Sequence, residues 1–347
     1  MSKLHVVFVH LNTEFPQHLI ANCHRMRSLF PEVDLHILHN TDSTLRDELG
    51  VAIHKIETST YESDFKNHEW NRDFRHGFWQ SSLLRILVLE QFHKLFPNDS
   101  ILHVESDVIL MSGFPFDKIT QLDLPYWNSF GNEADVGALI YSPTMSHTKL
   151  LVASLRKAVN ANSQVTDMTA LNFVRNERPD VFKLFPTSYL DESFETIPFI
   201  FDGAILGMWL FGQDPRNHYG FQPRFINVTE SRYSIIRGSV HLDETGLLTL
   251  REGSEVSQIV SLHLHCKDTR LFEANSALFK RRVRSASKRI HVVLFNPRIF
   301  MKLTIEAIKE NELRGFVYNF PLLGRLLRMI RRTGRATKKS FALLIGK

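Results

Sequence analysis

The chain is poor in cysteine: Cys23 and Cys266 are the two in 347 residues, far apart and without metal-ligand spacing. That excludes a disulfide-stapled scaffold and points to a reducing compartment. Long apolar runs are also missing. The N-terminal stretch "LHVVFVHL" is too brief to cross a bilayer and is interrupted by His5 and His10. Lacking the small-residue cleavage region of a signal peptide, it reads as a first buried strand. The expected location is therefore cytoplasmic, or peripheral on a membrane from the cytoplasmic side. There is no internal repeat and no low-complexity segment.

What is present suits a globular protein: 43% hydrophobic and 23% charged residues, in a chain long enough for one large or two ordinary domains. The net charge of +5 is unevenly placed. "KRRVRSASKR" from Lys280 and "RLLRMIRRTGRATKK" from Arg325 make the C-terminal end strongly basic. Leu322, Leu323, Leu326, Leu327 and Ile330 lie among these arginines in an amphipathic pattern. Such a helix can rest on an anionic membrane surface, or pack on the main domain with its basic face in water. Nucleic acid is not an expected partner, because no aromatics are interleaved with the basic clusters.

Strand-like and helix-like segments alternate along the first half. "HVVFVHL", "VDLHILHN" and "VAIHKI" read as strands, "EFPQHLIANCHRMRSLF" as a helix with apolar spacing through Leu19, Ile20, Cys23, Met26 and Leu29. "FWQSSLLRILVLEQFHKLF" reads as one long helix, and a strand resumes at Ile101. "VGALIYSP" is a further strand and "VTDMTALNFVRNE" a helix with Thr166 or Asp167 near its N-cap. The glycines of "FIFDGAILGMWLFG" suit close backbone approach, and "IVSLHLHCKD" predicts a strand on which His263, His265 and Lys267 share a face. The fold class expected is α/β, a largely parallel Rossmann-like sheet flanked by helices. The boundary falls near Ala274, giving a domain over 1–274 and a basic helical extension over 275–347.

In "ILHVESDVIL" two carboxylates, Glu105 and Asp107, stand one residue apart in an apolar run. Like charges so close repel unless a cation lies between them. As a solvated turn the pair would mean little; at the carboxyl end of a strand in an open α/β sheet it stands where ligands collect. Two hard oxygen ligands suit Mg²⁺ or Mn²⁺, and a histidine from a distant strand would favour Mn²⁺. His265 is the first choice for that ligand and His263 the second. Lys267 can neutralise a phosphate, and Arg85, among apolar helix neighbours, needs an anionic partner: the acids or the substrate.

The order "FWQSSLLRILVLEQF", "SILHVESDVIL", "VGALIYSP", "TDMTALNFV", "HLHCKD" resembles the nucleotide-sugar-dependent glycosyltransferases of GT-A fold, especially the glycogenin-like group and related bacterial polysaccharide enzymes. The resemblance covers roughly residues 4 to 272. It implies a mixed GT-A sheet, Mn²⁺ (or Mg²⁺), a nucleotide diphosphate sugar donor and a glycan or lipid-linked acceptor. It implies a metal bound by Asp107 and by His265 or His263, with Glu105 in the first acid position in place of the family's Asp, on the ribose or the metal. Lys267 would face the diphosphate, and the end of the first strand, Val9, His10 and Asn12, would line the base, with Asn40 and Thr41 beside it. Should configuration invert, Asp202 or Asp167 is the candidate base; Met168 and Thr169 depart from the amide and acid often found after the latter. Two rival readings remain: a nucleotidyltransferase or phosphohydrolase, which would need ligands for a second, paired metal, and a carbohydrate-binding protein without turnover.

Overall fold

The computed structural model describes residues 3–11, 14–41, 50–69, 77–130, 134–211, 238–252 and 254–284. Asn12 and the tail beyond residue 284, with its amphipathic leucines, lie outside the described residues. The strands are β1 (Leu4–His10), β2 (Asp34–His39), β3 (Ala52–Lys55), β4 (Ser100–Val104), β5 (Val108–Leu110), β6 (Tyr126–Ser129), β7 (Asp135–Ser142), β8 (Lys183–Leu184), β9 (Phe199–Phe201), β10 (Gly238–Leu242), β11 (Leu248–Glu252) and β12 (Glu255–His263). The α-helices are α1 (Gln17–Leu29), α2 (Ser59–Glu62), α3 (Phe78–Leu87), α4 (Leu89–Leu95), α5 (Phe116–Ile119), α6 (Met145–Ala161), α7 (Asp167–Glu177) and α8 (Ile205–Phe211).

Seven strands form the main sheet in the order β3-β2-β1-β4-β7-β6-β8. β3, β2, β1 and β4 run parallel, whereas β7 is antiparallel to both β4 and β6. The sheet is therefore mixed, as in GT-A folds. Both faces are covered, which is why β1 and β4 carry apolar residues almost without alternation. On one face Val7, Val9, Leu38 and Ile140 pack against α3, α4, α6 and α7. On the other, Val6, Phe8, Ile37 and Leu102 meet Leu19, Cys23 and Met26 of α1 and the inner face of a second sheet.

That second sheet has the order β10-β11-β12-β5, with β9 alongside β12. Its outer face, through Ile109, Ile259 and Leu262, buries Leu206 and Leu210 of α8 and Phe279 and Val283 of the helical segment 277–284. Both cysteines are free, and burial pushes the Cys23 thiol up to about 12, so it is inert core filling. No helix among the described residues is long and apolar enough to cross a membrane.

Two sequence expectations are revised. The long helix over residues 78–96 is two helices meeting at Val88: its own N–H still reaches Leu84 O at 3.0 Å, but Gln91 N bonds Val88 O at 3.0 Å in the tighter i→i−3 pattern that opens the second helix. The strand expected to carry His263, His265 and Lys267 on one face ends at His263: the next N–H, of Leu264, bonds Asp107 O at 2.7 Å, and the chain turns.

One buried ionic contact ties α7 to the sheet. Asp135, fully buried at the start of β7, accepts from Arg175 Nε at 2.8 Å and Trp127 Nε1 at 2.9 Å. Removing Arg175 would leave a buried carboxylate without its cation. Arg175→Met is expected to cost about 3–5 kcal/mol in urea unfolding, and adding Asp135→Leu to recover much of it; a single-variant loss under 1 kcal/mol would contradict this role.

Candidate active site

β4 stops at Val104, but pairing continues for one bond, Glu105 N to Ala138 O at 2.9 Å. A tight turn follows, closed by Val108 N to Glu105 O at 3.0 Å. Glu105 and Asp107 thus converge through a turn and not through strand alternation, and the turn is buried: the two acids are 8% and 6% exposed. Asn22 of α1 fixes this turn by donating to Ser106 O at 3.2 Å and Val108 O at 2.7 Å, and His18 Nε2 lies 3.1 Å from Ser106 Oγ. Sequence reading missed Asn22; its signal was a polar residue on the apolar face of α1.

β5 leads out of the turn antiparallel to β12, with Val108 opposite His263. This register sets His263 Nε2 at 3.3 Å from both Glu105 Oε2 and Asp107 Oδ1. Its Nδ1 is 2.7 Å from Gly203 O, so Nδ1 carries a proton and Nε2 faces the acids. Arg85 Nη2 reaches Glu105 Oε1 at 2.6 Å, and Lys267 Nζ lies 3.3 Å from Asp107 Oδ2. Lys267 gets there through left-handed backbone, φ 51°, a conformation that costs a non-glycine residue roughly 1–2 kcal/mol. His265 is not in this group. Its ring stacks on His263 with centroids 3.9 Å apart, so of the two histidines it is His263 that could share a metal with the acids, with His265 packed against its ring.

The charges offset one another. Burial opposes ionisation of Asp107, yet His263 and Lys267 hold it well below the carboxylate range. Burial likewise disfavours the His263 imidazolium, but Asp107, by charge and hydrogen bond, and Glu105 raise it to about 9. Arg85 is raised despite burial by Glu105, Asp167 and Asp107.

The two candidate bases differ. Asp202 is fully buried and its oxygens accept from three backbone N–H groups, Leu206 at 2.9 Å, Gly207 at 2.7 Å and His263 at 3.1 Å. It caps α8 and locks the end of β12, and has no oxygen to spare for a substrate proton. Gly207 is needed there, since a Cβ would stand 1.9 Å from His263 O. Asp167 is not the cap of α7: Thr166 is, in a capping box with Thr169. Asp167 Oδ1 is buried without a hydrogen-bond partner, and burial, offset in part by Arg85, raises the acid to about 6.

At the carboxyl end of β1 the Val9 side chain is in the core, which leaves only its backbone to face outward. His10 Nε2 bonds Glu14 O at 3.0 Å, and burial lowers its pKa to about 4. Asn40 lies just past β2, half-buried.

Glu105, Asp107 and His263 each offer one ligand atom, all within 4.8 Å of one another. Cis ligands of an octahedral ion with bonds of about 2.1 Å stand about 3 Å apart, so the 3.3 Å spacings around His263 Nε2 fit a divalent ion with little movement. The donor chemistry, two hard oxygens and one imidazole whose other nitrogen is tied to a carbonyl, suits Mn²⁺.

No protein-family model matches the chain, and no curated protein matches it in sequence. Among solved structures it is similar to the galactosyltransferase LgtC in complex with donor and acceptor sugar analogues, at 10% identity and TM-score 0.43, over 81% of this chain and 95% of that one. It is also similar to the bifunctional glycosyltransferase WbbM in its apo form, at 11% identity and TM-score 0.43, over 83% of this chain and 52% of that one. A third is the glycosyltransferase GlyE of Streptococcus pneumoniae TIGR4, at 13% identity and TM-score 0.41, over 87% and 64%.

A divalent ion on His263 Nε2 must displace the proton that the acids hold there. With that proton leaving near pH 9 in the metal-free protein, Mn²⁺ affinity is expected to rise between pH 7 and 9 by up to about tenfold per unit and then level off. Without metal the sign is opposite for stability: the contribution of His263 is full below its unfolded pKa of about 6.5 and is lost as pH passes about 9. Calorimetric Mn²⁺ titrations across this range check the first, and a pH-independent affinity would contradict it.

Proposed function

We propose that the protein is a metal-dependent glycosyltransferase of GT-A type, moving a sugar from a nucleotide diphosphate sugar to a glycan or lipid-linked acceptor in surface polysaccharide synthesis. The observation that carries this reading is the buried Glu105–Asp107–His263 group bracketed by Arg85 and Lys267, beyond the carboxyl end of β4. Its acids and imidazole could hold a divalent ion, and the Lys267 ammonium paired with Asp107 stands beside them, the charge pattern that a metal-bound diphosphate requires.

In this reading Asp107, His263 and Glu105 would hold Mn²⁺ (or Mg²⁺), which would supply positive charge to the departing diphosphate. Lys267 would turn from Asp107 to the phosphate oxygens, and Arg85 holds Glu105 in place. The backbone of Val9 and the neighbouring His10 and Asn40 border the nucleoside. The acceptor oxygen forms a bond to the anomeric carbon while the bond from that carbon to the diphosphate oxygen breaks, its electron pair leaving with the diphosphate. For an inverting reaction Asp167 takes the hydroxyl proton: its raised pKa of about 6 suits a base working near neutrality, and its Oδ1 has no other partner. The basic tail, on this proposal, holds the protein to an anionic membrane where a lipid-linked acceptor resides.

The paired-metal alternative finds no support among the described residues. The other histidine and carboxylate cluster, His5–Asp34–His36, lies at the opposite ends of the strands, far beyond the separation of about 4 Å that two-metal chemistry uses.

Release of UDP and GDP across a panel of nucleotide sugars, with and without Mn²⁺, tests the proposal. Metal-dependent hydrolysis or transfer from one donor is expected, falling at least about 10²-fold in Asp107→Ala. Donor binding without turnover, unchanged by metal or by the substitution, would make the protein a binder and overturn the reading.

A further inference from the structure

A second constellation lies at the amino ends of the parallel strands, away from the acid turn. β1 and β2 pair with His5 opposite Asp34 and Val7 opposite His36, and β2 and β3 with Leu38 opposite His54. Period two places His5, Asp34, His36 and His54 on one face of three adjacent strands. They form a connected chain. His5 Nδ1 is 3.0 Å from His36 Nε2 and 3.5 Å from Asp34 Oδ2; His36 Nδ1 is 3.0 Å from His54 Nε2; and His5 Nε2 is 3.1 Å from Asp99 Oδ2. His5 and His36 are 2% and 6% exposed, and Phe92 and Phe96 close the inner side, with ring centroids 4.2 Å between His5 and Phe96 and 4.9 Å between His36 and Phe92.

We infer that His5 Nδ1, His36 Nε2 and Asp34 Oδ2 form a Zn²⁺ site that staples β1 to β2, with water as the fourth ligand. A tetrahedral ion with bonds of about 2.0–2.1 Å sets its ligand atoms about 3.3 Å apart. The observed 3.0 and 3.5 Å bracket that value, and each of the three residues offers a ligand atom within 4.8 Å of the other two.

The surroundings complete the case. A ligating imidazole needs its other nitrogen protonated and engaged, typically by a carboxylate. His5 Nε2 has Asp99, and His36 Nδ1 has the acceptor His54 Nε2. Without metal, one proton lies between His5 Nδ1 and His36 Nε2; with metal it would move to His36 Nδ1 and the chain would shift tautomer, so that both imidazoles ligate as neutral rings and Asp34 and Asp99 balance the ion's charge. Asp34 is held by Lys3, whose side chain is 60% exposed and can leave for water at little cost. The half-exposed Asp34 side supplies the entry path and the open fourth position. Nothing in this site touches the acid turn, so its role is structural.

The test uses the full-length, untagged protein carrying Asp107→Asn, so that the acid turn cannot take the metal. Zn²⁺ calorimetry should show one equivalent bound, and Co²⁺ in its place should give the intense visible bands of a tetrahedral ion. Adding Asp34→Asn, a half-exposed isosteric change, should weaken Zn²⁺ at least about 10-fold, and Asp99→Asn, which touches no ligand atom, by about 10–100-fold. His36→Gln should abolish the tetrahedral Co²⁺ spectrum. Zn²⁺ binding that vanishes with Asp107→Asn alone would overturn the site, as would affinity unmoved by Asp34→Asn and Asp99→Asn in variants whose circular dichroism matches the parent.

Discussion

Glu105 and Asp107 are two carboxylates buried within reach of one imidazole nitrogen, and such an arrangement stands only where positive charge is supplied with it. In the metal-free protein that charge comes from Arg85, Lys267 and the proton on His263. Much of the architecture exists to keep these groups together. The β5–β12 pairing sets the register of His263, Asp202 ties its backbone to α8, and Asn22 holds the turn from the α1 side. Each of these is buried and hydrogen-bonded, so the site is rigid before any ligand arrives, which is what electrostatic preorganisation needs.

The three cations are not equivalent. Arg85 is raised by its acidic neighbours and stays charged whatever binds. The proton on His263 and the ammonium of Lys267 are replaceable, one by a divalent ion and the other by rotation toward an incoming anion. A centre that can exchange a proton for a metal and a salt bridge for a phosphate has the charge balance that the proposed donor site needs. Asp167 completes the group: burial raises its acid to about 6 against the pull of the Arg85 charge, and its buried Oδ1 has no hydrogen-bond partner.

The main sheet was largely legible in the sequence. β1, β2, β4 and β7 are apolar runs bounded by polar turns, and α1 and α7 carry clean helical spacing, because burial on both faces leaves a strong compositional mark. Of the second sheet only β12 was legible. β5 and β9 are three residues each, too short for any period to show, and their pairing with β12 is a tertiary fact. The candidate site divides the same way. Arg85, Glu105 and Asp107 stood out as charges in apolar surroundings, whereas the choice between His263 and His265 depended on where β12 ends, fixed by a backbone bond from Leu264 to Asp107. Lys267 reached its place through a left-handed turn that no alternation rule would give, and Asn22 was hidden inside an ordinary amphipathic helix.

The most direct test of this account is Mn²⁺ binding followed by electron paramagnetic resonance, in the presence and absence of UDP and GDP, in the wild type and in His263→Gln. The account predicts that one nucleoside diphosphate tightens Mn²⁺ binding and that His263→Gln weakens it by about tenfold or more. Mn²⁺ binding indifferent to both nucleotides and to the loss of His263 would contradict it.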